Sequence, residues 1–127
     1  MPISVILDTS FLFELVHRPT LLAEVEDLLD SPCIFKTMEN CVSELTGIAS
    51  SDRKEAQAAA AVLEIIKTKK IVVITGHLGT GDDAIKAYCQ LNRETACCTQ
   101  DEALRKQLKK QQIRTITFSH HSKLKFG

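Results

Sequence analysis

The sequence predicts a three-layer α/β/α sandwich around a sheet of about five parallel strands. Short apolar runs alternate with segments of helical spacing along all 127 residues. Those runs are continuously hydrophobic instead of alternating, as expected for strands covered by helices on both faces. No internal repeat and no long Pro/Gly/Ser-rich linker interrupts the pattern, so residues 1–127 are expected to form one domain.

The elements follow in order. Ile3 to Leu7 is a β-rich apolar run ending at Asp8, a buried first strand. Phe11 to His17 is a short helix stopped before Pro19. Leu21, Leu22, Val25, Leu28 and Leu29 repeat at helical spacing, with Thr20 as a candidate N-cap, until Ser31-Pro32 breaks the helix. Cys33 to Lys36 is a second strand, and Glu39 to Ile48 is helical from its apolar residues 42, 45 and 48. Asp52 is placed to cap an alanine-rich helix from Arg53 to Lys69. Ile71 to Ile74 is wholly β-branched and reads as a central strand. Gly76, Gly79 and Gly81 mark a loop, after which Thr80 opens a helix to about Asn92. Thr95 to Thr99 is a strand, Asp101 to Gln111 a helix with a basic outer face, and Thr115 to Phe118 closes the sheet.

Composition excludes several function classes. Hydrophobic residues at 44% and charged residues at 25% are globular values, which argues against disorder. The longest apolar run, Ala58 to Leu63, is far short of the ~20 residues that span a bilayer, and the N-terminus lacks the basic region of a secretory signal. A cytoplasmic protein without membrane association is expected. Five cysteines without a CxxC pair disfavour a disulfide framework or a zinc ribbon. The formal net charge is zero, but residues 1–44 stand at −6 and the remainder at +6. No acid follows Glu102, whereas Arg105, Lys106, Lys109 and Lys110 lie on the last helix, so these four are candidate contacts to the phosphates of a polyanion.

In open parallel sheets the chemistry sits beyond the carboxyl ends of the strands. Asp8 follows the first strand, Glu44 lies in the helix after the second, Asp82 and Asp83 open the helix after the third, and Asp101 follows the fourth. Carboxylates converging from four segments repel unless a cation lies among them. Oxygen ligands without paired His or Cys favour a hard ion, Mg²⁺ or Mn²⁺. Taken singly, Thr80-Gly81-Asp82-Asp83 and Thr99-Gln100-Asp101-Glu102 are also helix-capping patterns. Asp8 is harder to dismiss, because a carboxylate at the end of a buried strand is costly without a partner or a role.

These residues carry a resemblance. Val5-Ile6-Leu7-Asp8-Thr9-Ser10, Val42-Ser43-Glu44-Leu45, Gly81-Asp82-Asp83-Ala84-Ile85 and Cys98-Thr99-Gln100-Asp101, in this order, resemble the four motifs of the PIN-domain nucleases, with Ser10 where Asn is common. The basic helix and the Ile-Arg-Thr-Ile-Thr-Phe strand extend the likeness over essentially the whole chain. It implies an acidic catalytic and metal-binding cluster of Asp8, Glu44, Asp82 and Asp101, with Thr9 or Ser10 and Thr99 as hydroxyl supports and Asp83 competing with Asp82 for the third place. It also implies a metal-dependent endoribonuclease acting on RNA, of the toxin or rRNA-processing kind, with an antitoxin, a ribosome-assembly protein or a second copy as partner. The alternative is a catalytically silent scaffold that binds RNA or protein in a larger particle. Ile85 and Cys89 share a helical stripe with Asp82, which favours Asp82 over Asp83.

Overall fold

The computed structural model describes residues 2–127. Among them the order is β1 (Ile3–Leu7), α1 (Thr9–His17), α2 (Leu21–Leu29), β2 (Cys33–Met38), α3 (Glu39–Ala49), α4 (Ala56–Thr68), β3 (Val72–Ile74), α5 (Gly81–Leu91), β4 (Ala96–Cys98), α6 (Glu102–Lys110), β5 (Arg114–Phe118) and β6 (Leu124–Phe126). The strands form one sheet in the order β3-β2-β1-β4-β5-β6. All neighbours run parallel except β5 and β6. The chain winds outward from β1 through β2 to β3, then returns to place β4 on the other side of β1. That reversal opens a crevice at the carboxyl edge between β1 and β4.

Register divides the core. Ile6 pairs with Lys36 on β2 and Cys97 on β4. Ile6, Cys97 and Met38 pack with Ile85 and Cys89 of α5 and with Leu104 and Leu108 of α6. Val5, Leu7, Ala96 and Cys98 pack on the opposite face against Phe11, Leu12, Val25 and Val62 from α1, α2 and α4. Each such fully buried aliphatic side chain contributes roughly 1.5–3 kcal/mol of transfer free energy. All five cysteines are free, four of them buried, and burial pushes the Cys89 thiol up to about 12, so they serve as small hydrophobes. No helix of the described residues is long and apolar enough to cross a membrane.

The three-layer, mostly parallel architecture agrees with the sequence expectation, and four details differ. The segment read as a central strand is the edge strand β3, with Val72 and Val73 at 46% and 38% exposure. A sixth strand was not expected: the basic tail turns at Ser119–Ser122 and pairs antiparallel with β5, placing Phe126 opposite Ile116. Helix α4 starts at Ala56 and not at Arg53, so Asp52 does not cap it. Thr20 does precede α2, but its hydroxyl donates to Glu24 and makes no cap bond.

Candidate active site

Asp8 ends β1 and begins α1. Its extended backbone places Oδ1 to accept from Phe11 N at 3.0 Å, which caps α1, and from Ser10 Oγ at 2.7 Å. Oδ2 accepts from Thr99 Oγ1 at the end of β4. The residue is only 4% exposed, and burial raises its carboxyl above the ordinary value of 3.8 while the Thr99, Ser10 and Phe11 donors oppose that shift. The same hydroxyl of Thr99 accepts from Asp101 N at 3.0 Å, and Asp101 Oδ1 in turn caps α6 through Leu104 N at 3.0 Å. Gln100 N donates to Ser10 Oγ at 3.1 Å. Two adjacent parallel strands are thus laced together at their carboxyl ends through Asp8, Ser10, Thr99 and Asp101.

The other two acids come from the helices across the crevice. Glu44, on α3, accepts from Gly81 N through Oε1 at 2.9 Å. Gly81 is required here for close approach: a Cβ at this position would lie 2.8 Å from Cys41 Sγ and 3.0 Å from Glu44 Oε1. Asp82, the next residue, shares the buried stripe of Ile85 and Cys89 and is half-buried. Its carboxylate makes no hydrogen bond among the described residues. Burial first, then the charges of Asp101 and Glu44, raise its proton affinity.

Asp83 is turned to another task. It completes a capping box with Thr80: Thr80 N donates to Asp83 Oδ2 at 3.1 Å and Asp83 N donates to Thr80 Oγ1 at 3.2 Å. Those bonds lower its pKa, and Lys86 lies 3.9 Å away.

Asp8, Thr9, Ser10, Phe13, Glu44 and Asp82 line one cleft of about 330 Å³, together with Cys41, Gly81 and Asp101. Asp83 is not among the lining residues, and neither is any Lys, Arg or His. Among the described residues, no three His, Cys, Asp or Glu side chains stand close enough to hold a metal ion as placed. The donor set nevertheless fits a hard divalent cation. Its side-chain donors are carboxylates with flanking hydroxyls, and Asp82 carries like-charge repulsion that a cation relieves. Asp82 is also free to turn, having no bond to give up. Asp8 and Asp101, by contrast, are fixed by the donors they already accept from.

The basic residues fall elsewhere. α6 leads away from Asp101, so Lys109 and Lys110, in its last turn, lie roughly 12 Å along the axis from the cleft at 1.5 Å per residue. Arg105 and Lys106 lie 3.9 and 3.1 Å from Glu102 on the same helix. The four candidate RNA contacts are therefore not brought to the carboxylates. Gly81 escaped the sequence reading as a site residue; its signal was a glycine directly before the Asp82-Asp83 doublet.

A sequence profile described as a PIN like domain matches residues 5–121, a span that contains all four cleft acids. The chain belongs to the PIN-like domain family. Among solved structures, the PIN domain endonuclease Utp24 superposes with a TM-score of 0.80 at 19% identity, covering 98% of this chain and 91% of that one. A domain of a functionally unknown protein from Methanocaldococcus jannaschii DSM 2661 superposes at 0.58 with 22% identity, covering 91% of each chain. At these identities the two structures show a shared fold. No curated protein matches the sequence.

Proposed function

We propose that this PIN-like chain is a divalent-metal-dependent endoribonuclease, acting as one nuclease domain over residues 1–127. One observation carries the reading. Four carboxylates from four separated segments, Asp8, Glu44, Asp82 and Asp101, line one cleft at the sheet's switch point, with no basic side chain on its walls. Mg²⁺ or Mn²⁺ is the ion that suits them, and the endonuclease Utp24 shares the fold. When bound, the ion supplies a Lewis acid that lowers the pKa of a water and offsets charge on a phosphodiester.

The chain's own residues have separable duties in this reading. Asp8 is a fixed anchor, set by Thr99, Ser10 and the amino end of α1. Asp101 is tied to the same hydroxyl through its backbone and keeps Oδ2 unengaged. Glu44 is set by Gly81 N through Oε1 and keeps Oε2 for the cleft. Asp82 completes the set by rotation. Thr9, on the same wall, is the remaining hydroxyl.

A second reading is favoured by one feature: Asp8 and Asp101 cap helices and Glu44 holds Gly81 N, so three of the four acids have structural roles without a metal. A catalytically silent scaffold binding RNA or protein would retain them for that reason. Incubation with a labelled single-stranded RNA in Mn²⁺, Mg²⁺ or EDTA separates the two. The nuclease cleaves with metal, and cleavage is lost in EDTA and in Asp82→Asn. A chain that binds the RNA and never cuts it is the scaffold. An antitoxin gene adjacent to this one distinguishes a toxin from an rRNA-processing nuclease.

A further inference from the structure

A second cavity opens at the opposite edge of the sheet. It measures about 610 Å³, within the range of ligand sites, and is lined by Ser4, Lys36, Tyr88, Asn92, Arg93 and Arg114 among others. Ser4 is four residues before Asp8 on β1, so the cavity lies roughly 13 Å from the acidic cleft along the strand. We propose that this amino-edge cavity is a second binding site, which takes the phosphate ester of a nucleoside, as a free nucleotide or as one unit of an RNA strand.

Three features point to this ligand. The first is unspent positive charge. Lys36, Arg93 and Arg114 form no ion pair among the described residues, and Glu94 is the only acid on the wall. Arg93 also donates to Gln111 O just beyond α6, which brings the Lys109–Lys110 end of that helix to the same edge. The basic helix end that the acidic cleft does not use thus lies at the same edge of the sheet, next to Arg93, while its lysines stay outside the lining of the cavity. The second feature is an orphan: the Ser4 hydroxyl is shielded from solvent and has no hydrogen-bond partner. Such a group is costly unless something supplies its bond, and a phosphate oxygen does so. The third is a flat, partly apolar wall. Tyr88 OH accepts from Lys36 Nζ at 3.1 Å, which holds the ammonium in place, and the neighbouring Leu91 is 78% exposed. Arginine guanidinium groups bind phosphate in a fork and stack on planar rings, so Arg93 and Arg114 suit both halves of a nucleotide.

The test uses the full chain in EDTA, so that neither metal nor cleavage contributes. Adenosine 5′-monophosphate and a five-nucleotide single-stranded RNA are titrated separately, by calorimetry and by amide chemical shifts. Shifts are expected at Ser4, Tyr88 and Asn92, with affinity at least tenfold weaker in an Arg93→Ala/Arg114→Ala variant and unchanged in Asp82→Asn. Ser4→Ala, a small change inside the cavity that removes an unpartnered hydroxyl, should weaken binding without lowering the melting temperature. Binding of the mononucleotide assigns a free nucleotide as sufficient; binding of the RNA alone assigns a unit within a strand. The proposal is overturned if neither probe binds at millimolar concentration, if the arginine variant binds as tightly as the wild type, or if the shifts cluster at residues 8–10, 82 and 101. Because no readout involves cleavage, failure here is distinct from failure of the nuclease reading.

Discussion

Replacing Thr99 by Val removes one hydroxyl from the centre of the acidic site with little change of shape. Thr99 is fully buried, and its hydroxyl donates to the Asp8 carboxylate while accepting from Asp101 N. A hydrogen bond to a charged acceptor contributes about 1.5–3 kcal/mol net. At roughly 3–5 °C per kcal/mol for a chain of this size, the melting temperature should fall by about 5–15 °C at pH 7. The loss should depend on pH in a defined direction. The Thr99 bond favours ionised Asp8, so its contribution is full while Asp8 is charged and declines as pH falls through the folded-state pKa. Burial holds that pKa above 3.8, so the decline begins above that value. Once Asp8 is protonated, only a neutral bond of about 0.5–1.5 kcal/mol remains to be lost. Thermal melts of both proteins between pH 7 and pH 4, followed by circular dichroism, measure this. An unchanged melting temperature, or a deficit equal at every pH, would refute the anchoring role given to Thr99.

Three further outcomes are expected. Asp82→Asn should abolish RNA cleavage and keep the fold, whereas Asp83→Asn should keep substantial activity and melt slightly earlier, because its capping-box acceptor and the amino end of α5 lose their negative charge; the reverse pattern in a Mn²⁺ cleavage assay would put the third acid one residue later. Without divalent ions, Asp82→Asn should be at least as stable as the wild type at pH 7. Burial and then the charges of Asp101 and Glu44 raise the Asp82 pKa, so its ionised form penalises the fold as pH rises through that value, and the penalty vanishes below 3.8. Solvent screening limits the gain to about 1 kcal/mol, and a clear drop in melting temperature at pH 7 would contradict it. Gly81→Ala should push Glu44 and Cys41 aside, at a cost of about 1–3 kcal/mol, and lower cleavage at least tenfold; wild-type activity and stability would show that the close approach does not matter.

The sequence reveals those parts of the fold that depend on local pattern. Ile3–Leu7 is apolar apart from Ser4 and is bounded by an acid, and β1 has those limits. Thr80 and Asp83 have the spacing of a capping box, and the box forms. Lateral order is a different matter. Ile71–Ile74 looks like a central strand because all four residues are β-branched, yet nothing local records that no strand pairs on the outer side of β3. β6 is only Leu124–Phe126 in a basic tail, and its pairing to β5, closed by Gly127 N donating to Thr115 O at 2.9 Å, is non-local. The basic residues of α6 were visible as a charge run, but their direction was not: a helix that returns from the carboxyl edge carries its last turn to the amino edge. For the acids, each motif could be located and its neighbours guessed. That Thr99 would serve both Asp8 and Asp101, and that Asp82 alone would lack a hydrogen bond, depends on two strands and a helix meeting in space.

Direct metal binding tests the central claim. In calorimetric titration with Mn²⁺ at pH 7, the wild type should bind one or two ions saturably. Its melting temperature should rise with metal, by the equivalent of about 2.7 kcal/mol at a hundredfold excess over the dissociation constant. Asp8→Asn and Asp101→Asn should bind far more weakly and lose that rise. No saturable binding by the wild type at millimolar Mn²⁺, or equal binding by the wild type and both variants, would contradict the assignment of this cleft as a metal centre.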